Sequence, residues 1–190
     1  MVRMKQKITA LYYDDVTYKK VDLPIVVSER GLVYVGSFDE AIADVMQRFN
    51  EKGAFEWHKD EMKLAPVRLQ LTEYFNKQRN QFDLSFDWQF GTPFQQEVWT
   101  KLVGIPYGQT SSYGVIAKQI GRPQAVRAVG SAIGKNPLSI IVPCHRVLTS
   151  TGKLGGYSGG LSMKCELLEI EGVIDQVKSL AKDLKTSSIL

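Results

Sequence analysis

Ile140-Ile141-Val142-Pro143-Cys144-His145-Arg146-Val147 delivers a nucleophile at the end of an apolar run. The β-branched residues predict a buried strand, and Pro143, which cannot donate to a ladder, predicts that it ends or bends just before Cys144. A thiol attacks only as thiolate, and a neighbouring imidazole or cation lowers the cost of losing its proton, so Cys-His-Arg is a reactive combination. On an extended chain neighbouring side chains point in opposite directions. His145 therefore reaches Cys144 only if the turn after Pro143 folds them together or a water bridges them. The plain alternative is a structural cysteine, since free Cys is among the most buried residue types.

Working upstream, Pro93 opens a helix with Phe94, Val98, Leu102 and Val103 as its apolar stripe, ended by Gly104, Pro106 and Gly108. A helix-turn-helix follows: Tyr113 to Ile120, a turn at Gly121-Arg122-Pro123, and Gln124 to Lys135. In its second helix Gln124, Arg127, Ser131 and Lys135 share one polar face, while Val126, Val129, Ala132 and Ile133 pack inward. The small neighbours Ala125, Ala128 and Gly130 allow close approach to a narrow groove, and few groups could read base edges in pairs, which predicts DNA binding with little sequence preference.

Charge points the same way. Residues 1–90 hold 13 Lys/Arg against 14 Asp/Glu, and residues 91–190 hold 11 against 6. Between Glu97 and Glu166 no acidic residue occurs, yet eight Lys/Arg do, the footprint of a polyanion-binding face. With 190 residues, ordinary globular composition and no apolar run near the roughly 18 residues of a membrane span, the chain is expected to be a cytoplasmic protein without membrane association. Two cysteines make no disulfide framework, and two histidines with no paired Cys-x-x-Cys predict no metal site and no cofactor.

The fold class expected is α+β. Lys7–Tyr13 and Val16–Leu23 read as strands about an Asp14-Asp15 turn, and Pro24–Ser28 and Leu32–Phe38 as a second hairpin about Glu29-Arg30-Gly31. Helices are expected over Asp39–Asn50, capped by Ser37 or Asp39, and over Ala65–Asn76 with Pro66 in its first turn. Trp57, His58 and Lys59-Asp60-Glu61 are expected in an exposed loop. Domain boundaries are placed at 1–85 for an N-terminal α/β unit, 86–92 for a linker, 93–175 for the chemistry-bearing unit and 176–190 for a tail; Val173–Lys185 could add an amphipathic turn or two. Near the end, Ser162 should cap a helix running to about Ile170, with Gly172 beyond it. Glu171 then sets a negative charge at the negative end of the helix dipole, and a broken local rule marks a candidate for function. Cys165, among Met163, Leu167 and Leu168, reads as packing.

Pro143-Cys144-His145-Arg146-Val147, preceded by Gly134-Lys135-Asn136-Pro137 and followed by Gly155-Gly156-Tyr157-Ser158-Gly159-Gly160-Leu161, closely resembles the active-site region of the methylated-DNA-protein-cysteine methyltransferases. The resemblance runs from about Thr92 to Gly172. It implies a ribonuclease H-like N-terminal unit, a winged-helix-like C-terminal unit, and a monomer that acts on double-stranded DNA containing O6-alkylguanine, with thymine O4 lesions a possible second substrate. It implies that Cys144 takes the alkyl group irreversibly, with His145 as base through a water and Glu171 orienting it. Tyr113 and Ser158, with Tyr157 beside them, would bind the extruded guanine, backbone groups near Cys144 and Val147 would accept from its amine, and Asn136 would tie the second helix to the cysteine segment. The second helix would enter the minor groove, with Arg127 filling the space of the extruded nucleotide. Some relatives hold zinc through N-terminal cysteines that this chain lacks. Competing classes are a sensor that binds alkylated DNA without transfer, a transcription regulator indifferent to Cys144, and, more remotely, a cysteine hydrolase.

Overall fold

The computed structural model describes residues 9–88 and 90–173. Two units meet between Asp87 and Trp88. No helix among the described residues is long and apolar enough to cross a membrane.

The N-terminal unit is a four-stranded sheet of order β3-β2-β1-β4 with two helices. Strand β1 (Thr9–Tyr18) runs through Asp14-Asp15 rather than turning there; the hairpin closes at Lys19-Lys20, with Lys19 at φ 55°, and returns as β2 (Val21–Ser28). The acidic pair is tolerated mid-strand because Asp14 is salt-bridged to Arg68, while burial, before any neighbouring charge, pushes the Asp15 carboxyl up. Strand β3 (Gly31–Val35) is antiparallel to β2 and ends short of the expected Phe38. Helix α1 (Ile42–Asn50) starts later than expected, at an Ala41 cap that supplies no side-chain bond. Trp57 and His58 lie in strand β4 (Phe55–His58), parallel to β1, not in a loop. Helix α2 (Glu61–Phe75) starts four residues before Ala65, because Asp60 accepts from the Lys63 amide and caps it; Pro66 therefore sits inside the helix. Leu64, Val67, Leu71 and Phe75 are buried on the face of the sheet that carries Val16, Leu23, Ile25 and Val27, where Phe75 stacks on Tyr18 and Arg68 meets Asp14, whereas Leu11 is buried on the opposite face.

Residues after α2 are extended and bonded along β3: the Leu32 amide donates to Ser85 O and the Asp87 amide to Leu32 O, each at 2.8 Å. The buried Asp87 carboxylate accepts from Ser28 Oγ and from Arg30. Asp87→Ala is therefore expected to lower the unfolding free energy by about 1–3 kcal/mol, the range for losing hydrogen bonds to a charged group, read as a lower urea midpoint at unchanged slope. The anchor at Asp87 lies within the expected 86–92 linker.

In the C-terminal unit α3 (Pro93–Val103) begins with a reciprocal Thr92–Gln95 capping box and buries Val98, Trp99 and Leu102, whereas Val103, expected inside, is half exposed. Strand β5 (Ser111–Ser112) leads into α4 (Tyr113–Gln119), capped by Ser112. After the turn, α5 (Val126–Ile133) is shorter at both ends than expected: Gln124 and Lys135 lie outside it, and Val126 is exposed, while Val129, Ala132 and Ile133 are buried as expected. The indole of Trp99 donates to Ala132 O at 2.8 Å and so ties α3 to α5. A one-turn 3-10 helix (Cys144–Arg146) precedes β6 (Val147–Leu148), which pairs parallel with β5. Last comes α6 (Gly160–Ile170), begun at Gly159 and not capped by Ser162. Half-buried Cys165 packs with Leu161 against the cluster of Leu148, Leu154, Leu168 and Val173. The expected strand before Thr9, the helical turns beyond Val173 and the 176–190 tail fall outside the described residues.

Candidate active site

The apolar run that predicted a strand is a buried turn. Ile140 has φ 70°, a left-handed conformation that is uncommon for a β-branched residue and costs about 1–3 kcal/mol unless its surroundings enforce it. Asn136 does so. Its Oδ1 accepts from the Leu138 amide at 3.0 Å, and its Nδ2 donates to Val142 O at 2.8 Å and to Cys144 Sγ at 3.1 Å. One buried amide thus shapes the turn and holds the sulfur at its exit.

The 3-10 turn after Pro143 sends three adjacent side chains to different places. Cys144 lines a pocket of about 370 Å³ with Tyr113, Gly130, Ile133, Gly134, Gly156, Tyr157 and Ser158. His145 is fully buried, and its Nε2 lies 2.7 Å from Glu171 Oε1. Arg146 does not serve the sulfur, as the sequence suggested a cation could. Its Nε and Nη2 each lie 2.9 Å from a Glu171 oxygen, and Nη1 donates to Ile105 O. Glu171 follows the last turn of α6, buried, with a cation on each oxygen.

The electrostatics follow from that packing. Burial works to raise the Glu171 carboxyl, but hydrogen bonds and charge from His145 and Arg146 outweigh it and hold it at about 2. Burial pushes the His145 imidazole down, against the pull of Glu171, which favours the neutral ring. An ionised carboxylate can only accept, so Nε2 carries the proton and Nδ1 is the free base. Nδ1 is buried and has no hydrogen-bond partner among the described residues. Burial also pushes the Cys144 thiol up, countered by the Asn136 hydrogen bond and the charge of Lys164.

Lys164 escaped the sequence reading, which counted it only in the basic tract. It is fully buried in α6, where Nζ donates to Val147 O at 2.7 Å and to Leu154 O. Burial brings its ammonium down to about 8, with the Cys144 and Cys165 sulfurs opposing. A signal was available, since Lys164 falls one helical turn from both Leu161 and Leu168 on the buried face. Of the other pocket residues, the sequence marks Ile133 as inward packing, Gly130 as a small residue allowing close approach to a groove, and Gly134 as part of the stretch before Asn136, none of them as pocket wall.

Of the other predicted residues, Tyr113 opens α4 on the pocket wall and reaches Gly156 O at 3.4 Å. Gly155 (φ 65°) lies against it: a Cβ there would come within 2.9 Å of the Tyr113 hydroxyl oxygen, so only glycine lets the loop close over the ring. Ser158 is exposed at the rim. Val147 is buried in β6, away from the wall, and its carbonyl, expected to face a base, accepts from Lys164. Gln124, Arg127, Ser131 and Lys135 are all exposed, with Arg127 in the first turn of α5.

Two family models match the chain: the ribonuclease-like domain of 6-O-methylguanine DNA methyltransferase over residues 22–88 and its DNA binding domain over residues 93–173. The chain is 41% identical over 171 residues to the inducible methylated-DNA–protein-cysteine methyltransferase of Bacillus subtilis, covering 85% of this chain and 90% of that one. It is 42% identical over 156 residues to the methylated-DNA–protein-cysteine methyltransferase of Mycobacterium bovis, covering 81% and 91%. Among solved structures it resembles the O6-methylguanine methyltransferase of Mycobacterium tuberculosis, with TM-score 0.69, 38% identity, and coverage of 85% and 92%. A structure of the Mycobacterium tuberculosis protein in complex with DNA gives TM-score 0.68 at the same identity and coverage.

Proposed function

The chain belongs to the methylated-DNA–protein-cysteine methyltransferase family, and from that premise we propose that Cys144 takes an alkyl group from guanine O6 in duplex DNA through a base relay of His145 and Glu171. The observation that carries this reading is the buried His145–Glu171 pair behind a pocket-lining cysteine, with Nε2 committed to the carboxylate and Nδ1 unpartnered.

An alkyl group on O6 lies at the pairing edge inside the duplex, so the base must leave the stack, at about a few kcal/mol, to meet a side-chain nucleophile. The pocket beside α5 receives it, and Arg127, exposed in the first turn of that helix, fills the place it vacates. Gln124, Ser131 and Lys135 hold the backbone. His145 Nδ1 takes the Cys144 proton through a water, the sulfur attacks the alkyl carbon, and the carbon–O6 bond breaks with its electron pair going to the base. Hydrogen bonds from Tyr113 and from the backbone beside Ser158 stabilise the leaving oxygen. The product thioether has no leaving group to return, so each molecule acts once, with no cofactor. The N-terminal unit supports the reactive one, and the protein works as a monomer in the cytoplasm.

The test is intact-protein mass after incubation with an equal amount of duplex bearing one O6-methylguanine. The expected result is a gain of one methylene on the peptide holding Cys144, absent from Cys144→Ala. Binding to the lesion with no gain in mass would reject transfer and leave the sensor reading.

A further inference from the structure

We propose that the Tyr157 hydroxyl is a second hydrogen-bond donor to the Cys144 sulfur, converging with Asn136 Nδ2 to stabilise the attacking thiolate; the proposal rests on the transfer function above.

Three observations point to this role. The Tyr157 hydroxyl oxygen is buried and has no hydrogen-bond partner among the described residues, and an orphan buried hydroxyl is uncommon enough to need a reason. Tyr157 shares the pocket wall with Cys144, and its hydroxyl lies close enough to the sulfur and to Ser139 to interact with both. Finally, the sulfur already accepts one donor, Asn136 Nδ2 at 3.1 Å, itself fixed by its bond to Val142 O. A neutral thiol is a weak acceptor and leaves a second donor unused, whereas a thiolate accepts strongly. The orphan state in the resting protein and a bonded state once the proton leaves are two ends of one step. Tyr157 keeps its proton throughout: the Cys144 proton goes to His145, the sulfur lone pair forms the bond to carbon, and the carbon–O6 pair leaves with the base. The phenol is well suited to this because burial raises it well above the ordinary tyrosine value, so it donates without ionising.

The other titratable groups around the sulfur are placed differently. Lys164 on α6 bonds carbonyls and acts on Cys144 through charge, Tyr113 on α4 reaches Gly156 O, and His145 and Glu171 form the base relay on the far side. None supplies a second direct donor from the position of Tyr157.

The experiment measures Cys144 alkylation by iodoacetamide from pH 6 to 10 in a Cys165→Ser background, with and without Tyr157→Phe. The expected result is a profile displaced upward by about one pH unit, ~tenfold slower alkylation at pH 7, and convergence where both thiols are ionised. The single-turnover methyl-transfer rate on saturating O6-methylguanine duplex, which reads the step after binding, should fall by the same factor. Difluorotyrosine at position 157, a stronger donor of nearly the same shape, should move the profile down and serves if the phenylalanine variant does not fold. An unmoved profile in either variant, whatever the transfer rate, would overturn the proposal. Because iodoacetamide needs no DNA, failure of wild-type methyl transfer would sink the function above while leaving the thiol measurement to judge Tyr157 separately.

Discussion

Glu171→Ala is expected to destabilise the C-terminal unit by about 3–5 kcal/mol and to abolish measurable methyl transfer, because Arg146 and His145 then stay buried with no counter-charge. In the intact protein each oxygen of Glu171 meets a cation or ring N–H, the Gly108 amide also donates to Oε2, and Arg146 has a further acceptor in Ile105 O. Glu171→Gln keeps the shape and one acceptor, so its loss of stability should be smaller. Its amide does not compel the Nε2–H tautomer, and the transfer rate should still drop. The pH dependence separates charge from shape. The Glu171 carboxyl is held at about 2 against an ordinary 4.5. Its contribution is complete above 4.5 and disappears as pH falls through about 2, a loss of roughly 3 kcal/mol at 1.4 kcal/mol per unit. His145 acts in the same direction one window higher: its folded value lies below 6.5, so the unfolded chain takes the proton first and stability declines as pH drops below 6.5. Chemical denaturation of wild type and Glu171→Gln at pH 3, 5 and 7 should show the gap between them narrowing toward acid. A gap independent of pH would mean that the carboxylate acts by packing and not by charge.

How far this site was readable follows from particular residues. Glu171 was visible because it broke a local rule: an acid at the negative end of a helix needs a compensating partner, and it has two. The turn at Ile140 was not visible. A short run of β-branched residues signals burial equally well in a strand or a packed turn, and only the tertiary bracing by Asn136 makes φ 70° tolerable there. The same limit hid the course of Arg146, since adjacent side chains on a 3-10 turn diverge in a way that an extended chain does not. In the N-terminal unit Asp14-Asp15 looked like a turn by propensity, yet Arg68 on α2 neutralises one carboxylate and the chain carries on to Lys19. Strand β4 was missed because its burial alternates weakly and its identity depends on pairing with a distant β1. The two helices α4 and α5 were more legible, being made of local signals: a serine cap, a glycine with positive φ at position 121, and periodic Val129, Ala132 and Ile133.

Lys164 gives the second large effect, opposite in sign to Glu171 on the same unit. Burial holds its ammonium at about 8 against an ordinary 10.5. Below 8 the folded protein bears the full penalty of a buried charge; as pH rises to 10.5 the unfolded chain, which keeps its proton longer, loses that advantage and stability increases by roughly 3 kcal/mol. Cys144 and Tyr157, whose folded values are raised, subtract stability over an overlapping range, so the wild-type curve alone is not diagnostic. The difference between wild type and Lys164→Met is, because methionine fills most of the space without titrating. Wild type should gain on the variant by about 3 kcal/mol between pH 8 and 10.5, read by urea midpoints at four pH values. The variant also loses the donor shared by Val147 O and Leu154 O, a constant offset that does not move with pH. Function runs the other way. At pH 7 Lys164 is charged and favours the Cys144 thiolate, so Lys164→Met should slow iodoacetamide alkylation of Cys144 even where it stabilises the fold. If alkylation is unchanged, the ammonium serves the two carbonyls alone, and the thiolate depends on Asn136, His145 and the Tyr157 hydroxyl.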